Sequence, residues 1–100
     1  MADRPSWSAI KRTRKRTAAR RDGYRRAKEA FELAQRVRRA RERLGMTQAE
    51  LASRIGSTQP AVARLEAGGV TPSLATLRRV AAALRLELVV DLRPVRRVSA

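Results

Sequence analysis

The sequence contains no cysteine and no histidine, and only three of its 100 residues are aromatic. Without cysteine the chain has no disulfide framework and no thiolate metal site. The commonest general base and the commonest soft nucleophile are therefore both missing. The nine carboxylates are scattered, and no glycine-rich phosphate loop follows a strand. We predict that the chain is not an enzyme and needs no cofactor or metal.

Long apolar runs are also absent. No run approaches the roughly 20 residues of a membrane span, and the N-terminus lacks the apolar core of a signal peptide. We therefore expect a cytoplasmic protein that does not associate with a membrane.

Positive charge is what the sequence has in excess. The formal net charge is +15 and the isoelectric point is about 12.0. Residues 1–45 hold 16 Lys/Arg and 5 Asp/Glu, whereas residues 46–100 hold 8 and 4. Basic proteins bind nucleic acid because counterions are released from the polyanion. The composition therefore predicts a polyanionic partner, with most of the excess charge in the first half of the chain.

Residues 1–22 are strongly basic and have little to bury apart from Trp7 and Ile10, which are spaced i, i+3. Their composition favours a disordered, solvated arm. Two alternatives stay open. The arm folds onto a partner with Trp7 as the aromatic anchor, or it follows DNA phosphates and adds non-specific affinity.

From about Gly23 to Leu44 the pattern predicts a helix with two apolar stripes. The first has the spacing of a buried face and consists of Leu33, Val37, Ala40 and Leu44. The second is rotated around the helix and consists of Tyr24, Ala27, Phe31 and Ala34. A small core needs one stripe, so the second either extends the core or binds another chain.

The rest of the chain is organised around Thr47–Gly68, TQAELASRIGSTQPAVARLEAG. Thr47 and Glu50 have the spacing of a capping box. Gly56 can end the first helix with a positive φ, and Thr58 can cap a second helix. A helix, a short glycine-containing turn and a second helix form the helix-turn-helix arrangement.

After this motif, Thr71 or Ser73 is expected to cap a helix that extends to about Leu84. Residues 86–92 then alternate as in a strand. A lone strand leaves backbone groups unpaired, so we expect it to pair with the same strand of a second copy. The expected dimer contacts are Leu86, Leu88 and Val90. The predicted organisation is thus a basic arm 1–22, a helix-turn-helix domain 23–85, a dimerisation strand 86–92 and a basic tail 93–100.

The region from about Val37 to Leu84 resembles the Cro/phage-repressor (XRE) type of helix-turn-helix domain. The residues that carry the resemblance are Met46, Thr47, Gln48, Ala49, Glu50, Leu51, Ala52, Gly56, Thr58, Gln59, Val62, Leu65, Glu66 and Gly68. This resemblance implies an all-α, lambda-repressor-like bundle, here with a long N-terminal helix and one added C-terminal β-strand.

The resemblance also implies where DNA is read. In such domains the second helix of the motif enters the major groove by its N-terminal end. The positions that face the groove correspond to Thr58, Gln59, Pro60, Ala61 and Arg64. Gln59 suits adenine and Arg64 suits guanine, because each can make a bidentate contact. Pro60 and Ala61 replace polar readers, so part of the preference is expected to depend on DNA shape.

Three further residues follow from the same resemblance. Gln48 corresponds to a phosphate anchor that also has the position to brace Gln59. Arg41 and Glu66 correspond to an ion pair that joins the first helix to the end of the recognition helix. Arg41 lies one position from the first apolar stripe, which suits partial burial; two exposed side chains are the alternative.

The upstream helix and the terminal segment LELVVDL together resemble the HigA-like antitoxins of toxin–antitoxin operons. This resemblance implies a homodimeric, autoregulating repressor that binds a palindromic double-stranded operator and neutralises a ribonuclease-like protein toxin. The implied toxin contacts are Trp7, Tyr24, Ala27 and Phe31. Two alternatives remain: a stand-alone XRE-type regulator without a toxin, and a basic structural or RNA-binding protein that reuses the fold.

Overall fold

Four helices make up the regular structure of residues 7–96. A computed structural model describes residues 7–96, with side chains described at Lys11 and from Thr13 onward. The helices are α1 (Trp7–Arg43), α2 (Gln48–Arg54), α3 (Gln59–Glu66) and α4 (Leu74–Ala83). Within residues 7–96 no helix has both the length and the apolar character needed to cross a bilayer.

Helix α1 is 37 residues long, which corresponds to about 55 Å. Its sequence contains no proline and a single glycine, Gly23, and it is rich in the strong helix formers Ala, Arg, Lys and Glu. The helix therefore starts well before the predicted start near Gly23. It includes most of the segment whose composition suggested disorder or folding on a partner. Trp7 is its first residue, and the Trp7 side chain lies outside the described part.

The three short helices begin at side-chain caps that the sequence predicts. The Thr47 hydroxyl accepts from the Glu50 amide at 3.0 Å, and the Glu50 carboxylate accepts from the Thr47 amide at 3.3 Å. The Thr58 hydroxyl caps α3 by accepting from the Ala61 amide, and the Ser73 hydroxyl caps α4 by accepting from the Thr76 amide. The predicted capping box is thus confirmed, and Ser73 rather than Thr71 starts α4.

All four helices end in a Schellman motif, in which an amide donates to the carbonyl five residues earlier. The donors are Met46, Ser57, Gly69 and Leu86, with N···O distances of 3.1, 2.8, 3.2 and 2.8 Å. The residue before each donor has a positive φ, and these residues are Gly45, Gly56, Gly68 and Arg85. Arg85 is the exception, because its side chain makes φ = 56° costly.

The core is formed by the second half of α1, which packs against α3, together with α2 and α4. Its buried members are Val37, Ala40, Met46, Leu51, Ala52, Ile55, Val62, Leu65, Val80 and Leu84. The predicted first stripe is partly wrong, since Leu33 is half-buried and Leu44 is exposed. Leu74, in the first turn of α4, is 50% exposed.

The second stripe of α1 separates into two parts. Ala34 is buried, whereas Tyr24 is 74% exposed and Phe31 is 56% exposed; Ala27 is exposed as well. Tyr24 and Phe31 therefore do not extend the core of this chain. The core-facing part of α1 begins near Ala30, and the residues before it extend beyond the rest of the domain.

The predicted C-terminal β-strand is wrong. The backbone of residues 86–96 forms neither helix nor strand. The described chain offers no second strand with which this segment could pair, and a strand without a ladder partner has no hydrogen bonds to define it. Leu86 and Val90 are exposed and Leu88 is half-buried. The fold of the described residues is accordingly all-α without the added strand.

One glycine makes a close approach that fixes the position of α1 against the loop after α3. Gly68 has φ = 77°, and a Cβ on Gly68 would lie 3.4 Å from the Phe31 Cα. We expect Gly68→Ala to reduce the free energy of unfolding by about 1 kcal/mol, because a left-handed alanine is strained and the gain in unfolded-state entropy offsets only part of that cost. Thermal and urea unfolding measure the change.

The adjacent glycine is the matched control. Gly69 has no positive φ, and a Cβ there would meet only the Arg64 carbonyl oxygen at 3.8 Å. Gly69→Ala should therefore leave stability nearly unchanged. Equal losses for the two variants would contradict the assignment of a strained left-handed position to Gly68.

Candidate nucleic-acid interface

The N-terminal end of α3 forms an exposed edge made of residues that the sequence predicts to face DNA. Thr58, Gln59, Pro60 and Arg64 are exposed, whereas Ala61 is half-buried. The Thr58 hydroxyl accepts from the Ala61 amide at 3.3 Å. Pro60 lies in the first turn, where its missing amide hydrogen costs no helix bond. Local sequence thus fixes where α3 starts and which side chains it presents.

The opposite face of α3 holds the helix in place. Val62 and Leu65 are buried in the core, at 0% and 5% exposure. Arg64 is exposed, and its Nε donates to the Pro60 carbonyl oxygen at 3.4 Å. This bond directs the guanidinium back along the helix, towards the N-terminal end that carries Gln59.

A continuous chain of polar contacts runs from this exposed edge into the domain. Gln59 Nε2 donates to Gln48 Oε1 at 2.8 Å. Gln48 Nε2 in turn donates to Glu66 Oε1 at 3.3 Å. Arg41 closes the chain, with Nε and Nη2 donating to Glu66 Oε2 and Oε1 at 2.7 and 2.9 Å. The exposed amide of Gln59 is therefore connected through two side chains to a guanidinium on α1.

The Arg41–Glu66 pair is the buried end of this chain. The side chains are 12% and 2% exposed, respectively. Arg41 Nη1 also donates to the Met46 carbonyl oxygen at 2.7 Å. The hydrogen bond to Glu66 raises the pKa of Arg41, and partial burial opposes this shift. A raised pKa keeps Arg41 protonated at neutral pH, and the contribution of its charge to stability is lost as the pH rises through that pKa.

The buried carboxylate sets the orientation of both glutamine amides. An ionised carboxylate only accepts hydrogen bonds, so the Gln48 amide must point its nitrogen at Glu66. The Gln48 oxygen then faces Gln59, which must offer its own nitrogen. Gln59 Oε1 and the second hydrogen on Nε2 take no part in the bond to Gln48. This acceptor and donor are the two groups that a bidentate contact to adenine uses.

The structure brings eight predicted residues into one continuous site and leaves the predicted toxin and dimer contacts apart. The eight, which lie along α2, α3 and the facing part of α1, are Arg41, Gln48, Thr58, Gln59, Pro60, Ala61, Arg64 and Glu66. The predicted toxin contacts Tyr24, Ala27 and Phe31 lie on the exposed part of α1, and Trp7 lies at its start. The predicted dimer contacts Leu86, Leu88 and Val90 follow α4.

Two contacts were missed by the sequence reasoning. The bond between Gln48 and Glu66 joins residues that are 18 positions apart on different helices, and no local spacing signals such a pair. The Met46 carbonyl was also missed as an acceptor for Arg41. Elsewhere among the described residues, no group of three or more acidic side chains is placed to hold a metal ion.

Comparison with known proteins agrees with this arrangement. A family model described as Helix-turn-helix matches residues 37–90, which is more than half of the chain. The matched region contains Arg41, both glutamines and Glu66, and it begins after the exposed part of α1. No solved structure gives a significant match.

Two curated relatives each match a little more than half of the chain. One, from Methanothermobacter thermautotrophicus, is named an uncharacterized HTH-type transcriptional regulator; it is 43% identical over 56 residues, which cover 56% of this chain and 81% of the relative. The other, from Sinorhizobium fredii, is named uncharacterized HTH-type transcriptional regulator y4dL. It is 44% identical over 57 residues, which cover 57% of this chain but 29% of that relative.

The buried pair makes a direct stability prediction. Glu66→Gln keeps the shape of the side chain but leaves the Arg41 charge without its counter-charge in a largely buried position. We expect the free energy of unfolding to fall by about 3–5 kcal/mol, as when one partner of a buried ion pair is removed. Urea unfolding measures the loss. The double variant Arg41→Met/Glu66→Leu should recover part of it, because no unpaired charge is left.

A surface pair supplies the control. Arg38 Nε lies 3.7 Å from Glu42 Oε1, and the two side chains are 61% and 60% exposed. Arg38→Gln should change stability little, since exposed pairs contribute little. If Glu66→Gln were as mild as Arg38→Gln, the Arg41–Glu66 pair could not have the structural role assigned to it.

Proposed function

The chain belongs to the helix-turn-helix family, and on that premise we propose that it is a sequence-specific DNA-binding transcriptional repressor. The observation that carries the proposal is the exposed N-terminal end of α3, where the Gln59 amide is held by Gln48 and Gln48 by buried Glu66. Side chains that are fixed before binding lose less conformational entropy on contact with bases. The printed names of both relatives, HTH-type transcriptional regulators, support the same function.

Each exposed residue of α3 has a proposed role in the major groove. Gln59 contacts adenine through its amide, and Arg64 contacts guanine through its guanidinium. Thr58 lies at the cap of the helix, near the phosphates, and Pro60 and Ala61 offer apolar contacts to a thymine methyl. Two polar readers per half-site are few, so DNA shape contributes to the preference.

Gln48 has a second proposed role beside bracing Gln59. It occupies the first turn of α2, where unpaired backbone amides and the helix dipole favour a phosphate. Its remaining amide hydrogen can contact the DNA backbone without breaking the bonds to Gln59 and Glu66. A phosphate contact of this kind fixes the register of α3 without reading sequence.

We further propose that two copies bind a palindrome whose half-sites lie about one helical turn, or roughly 10 bp, apart. A short α3 with two readers specifies few base pairs, and doubling the half-site raises specificity. Exposed apolar side chains after α4 support a contact between copies. The proposed contacts are Leu86, Leu88 and Val90, without the strand that the alternating pattern suggested.

The test of DNA recognition removes the two readers together. Gln59→Ala/Arg64→Ala should abolish the preference for the region upstream of the chain's own gene over a random duplex, while weak binding to both remains. Fluorescence anisotropy with labelled duplexes measures both affinities at one salt concentration. A protein–DNA footprint over that region identifies the half-sites and their spacing.

A double variant of the same residue types serves as the control. Gln35 and Arg79 lie on α1 and α4 and not on α3. Gln35→Ala/Arg79→Ala should retain the preference. Discrimination that survives Gln59→Ala/Arg64→Ala would exclude α3 as the reading element, and a wild-type chain without any preference would favour the structural or RNA-binding alternative.

We also propose that the chain is the antitoxin of a toxin–antitoxin operon. Tyr24 and Phe31 support this, because they are large, exposed and on one face of α1 outside the core. Tyr24 lies in a surface depression together with Arg20, Arg21, Arg25 and Lys28. A partner that covers this face therefore needs an apolar pocket with acidic surroundings. The resemblance to HigA-like antitoxins supports a ribonuclease-like toxin as that partner.

Co-expression with the product of the adjacent gene tests the antitoxin proposal. The tagged chain should retain that product, and Tyr24→Ala/Phe31→Ala should release it by removing two aromatic anchors that the complex would bury. DNA affinity of the variant should stay within about twofold of the unmodified chain, because neither residue belongs to the α3 edge. Purification followed by mass measurement of the retained product provides the readout.

Exposed apolar residues elsewhere provide the comparison. Leu92 is 94% exposed and Val95 is 88% exposed, so Leu92→Ala/Val95→Ala removes similar surface outside α1 and should keep the complex. If the unmodified chain retains no adjacent product, the protein is a stand-alone regulator. If Tyr24→Ala/Phe31→Ala retains the product fully, the contact lies on another surface.

A further inference from the structure

The first half of α1 is a cationic helix that extends beyond the rest of the domain. From Lys11 to Lys28 the sequence holds ten Lys/Arg and one acidic residue, Asp22. All of these 18 residues lie in α1, which corresponds to about 27 Å of helix. The described side chains of this stretch are exposed. The stretch therefore carries about one net positive charge per 3 Å of helix axis.

The charge surrounds the helix rather than marking one face. We define the cationic segment as residues 11–21. Its described cations are Lys11, Arg14, Lys15, Arg16, Arg20 and Arg21. At about 100° of rotation per residue, no sector wider than about 100° lacks one of them. A partner with a flat acidic surface would meet cations on one side only and leave the opposite side in water.

The spacing along the helix places like charges one turn apart. Lys11 and Lys15, Arg16 and Arg20, and Arg21 and Arg25 are each four residues apart. Like charges at this spacing disfavour the helix. Positive charge is also unfavourable near the N-terminal end of the helix dipole. A ligand that brings negative charge to several sides of the helix would remove both unfavourable effects.

We propose that the cationic segment inserts as a helix into a groove of duplex DNA, as a second and sequence-independent contact beside α3. The major groove is about 12 Å wide and admits an α-helix between two rows of phosphates. Its walls present negative charge on both sides of the inserted helix, which matches the distribution of the cations. The major groove of duplex RNA is too deep and narrow for this arrangement.

The segment can make this contact independently of the base-reading edge. Arg21 is the end of the segment nearest the core, and it lies nine residues before Ala30, where α1 joins the core. The whole segment therefore lies at least about 14 Å along the helix from the core. The proposal deepens the proposed function, but its signature differs, because phosphate contacts contribute affinity equally at every sequence and make it salt-dependent.

The experiment measures the salt dependence of binding to a random 30-bp DNA duplex by the full chain. Arg16→Gln/Arg20→Gln/Arg21→Gln keeps helix propensity and removes three charges. If each arginine neutralises one phosphate, the magnitude of the negative slope of log K against log salt should decrease by about 2–3. Affinity for the upstream region of the gene should fall by the same factor as affinity for the random duplex.

The control removes three exposed arginines elsewhere, at equal net charge. Arg78 and Arg79 lie on α4 and Arg96 lies beyond it, and all three are exposed. Arg78→Gln/Arg79→Gln/Arg96→Gln should leave the slope within about 1 of the unmodified chain. Thermal unfolding should show both triple variants folded. If the first does not fold, Lys15→Gln/Arg16→Gln takes its place with an expected fall of about 1–2 in slope.

Three results would overturn the proposal. The first is an unchanged slope for the cationic-segment variant, or an equal change in the control. The second is a 30-bp RNA duplex that binds as tightly as DNA with the same change in slope. The third is release of a co-purifying protein with DNA binding intact. Loss of discrimination in Gln59→Ala/Arg64→Ala with the salt slope retained separates this contact from recognition by α3.

Discussion

The arrangement of the domain depends on one buried ion pair. Arg41 contributes three donors, two of which meet the Glu66 carboxylate and one the Met46 carbonyl. These contacts connect α1, the turn before α2 and the last residue of α3. Apolar packing alone lacks direction and allows neighbouring helices to shift. A bidentate guanidinium–carboxylate contact fixes distance and orientation together, so it sets how α3 is presented.

The same pair links stability to function through the glutamines. Glu66 is almost fully buried and belongs to the helix that carries Gln59 at its other end. Its carboxylate orients Gln48, and Gln48 orients Gln59. A surface amide is normally free to rotate, and fixing it costs side-chain entropy on binding. Here that cost is met during folding, so the exposed edge of α3 is prepared before any ligand arrives.

Local signals in the sequence predicted most of the domain. The Thr47–Glu50 capping box, the Thr58 cap and the turn at Gly56 all involve neighbouring residues, and each is present. Arg41 and Glu66 were paired by the family resemblance and not by spacing. The alternating segment 86–92 was misread because alternation reports side-chain chemistry, whereas a strand also needs a partner. The early start of α1 was missed because helix propensity outweighed the lack of apolar residues.

The uninterrupted course of α1 has a consequence for how the chain can be regulated. One rigid rod carries the cationic segment, the two exposed aromatics and Arg41, without a proline at which it could bend. In the two proposed complexes, a protein on Tyr24 and Phe31 would occupy space beside the rod that duplex DNA around residues 11–21 would also need. Two ligands that exclude one another weaken each other by the same factor. Abundance of one partner would then set occupancy by the other, with no change in the shape of the domain.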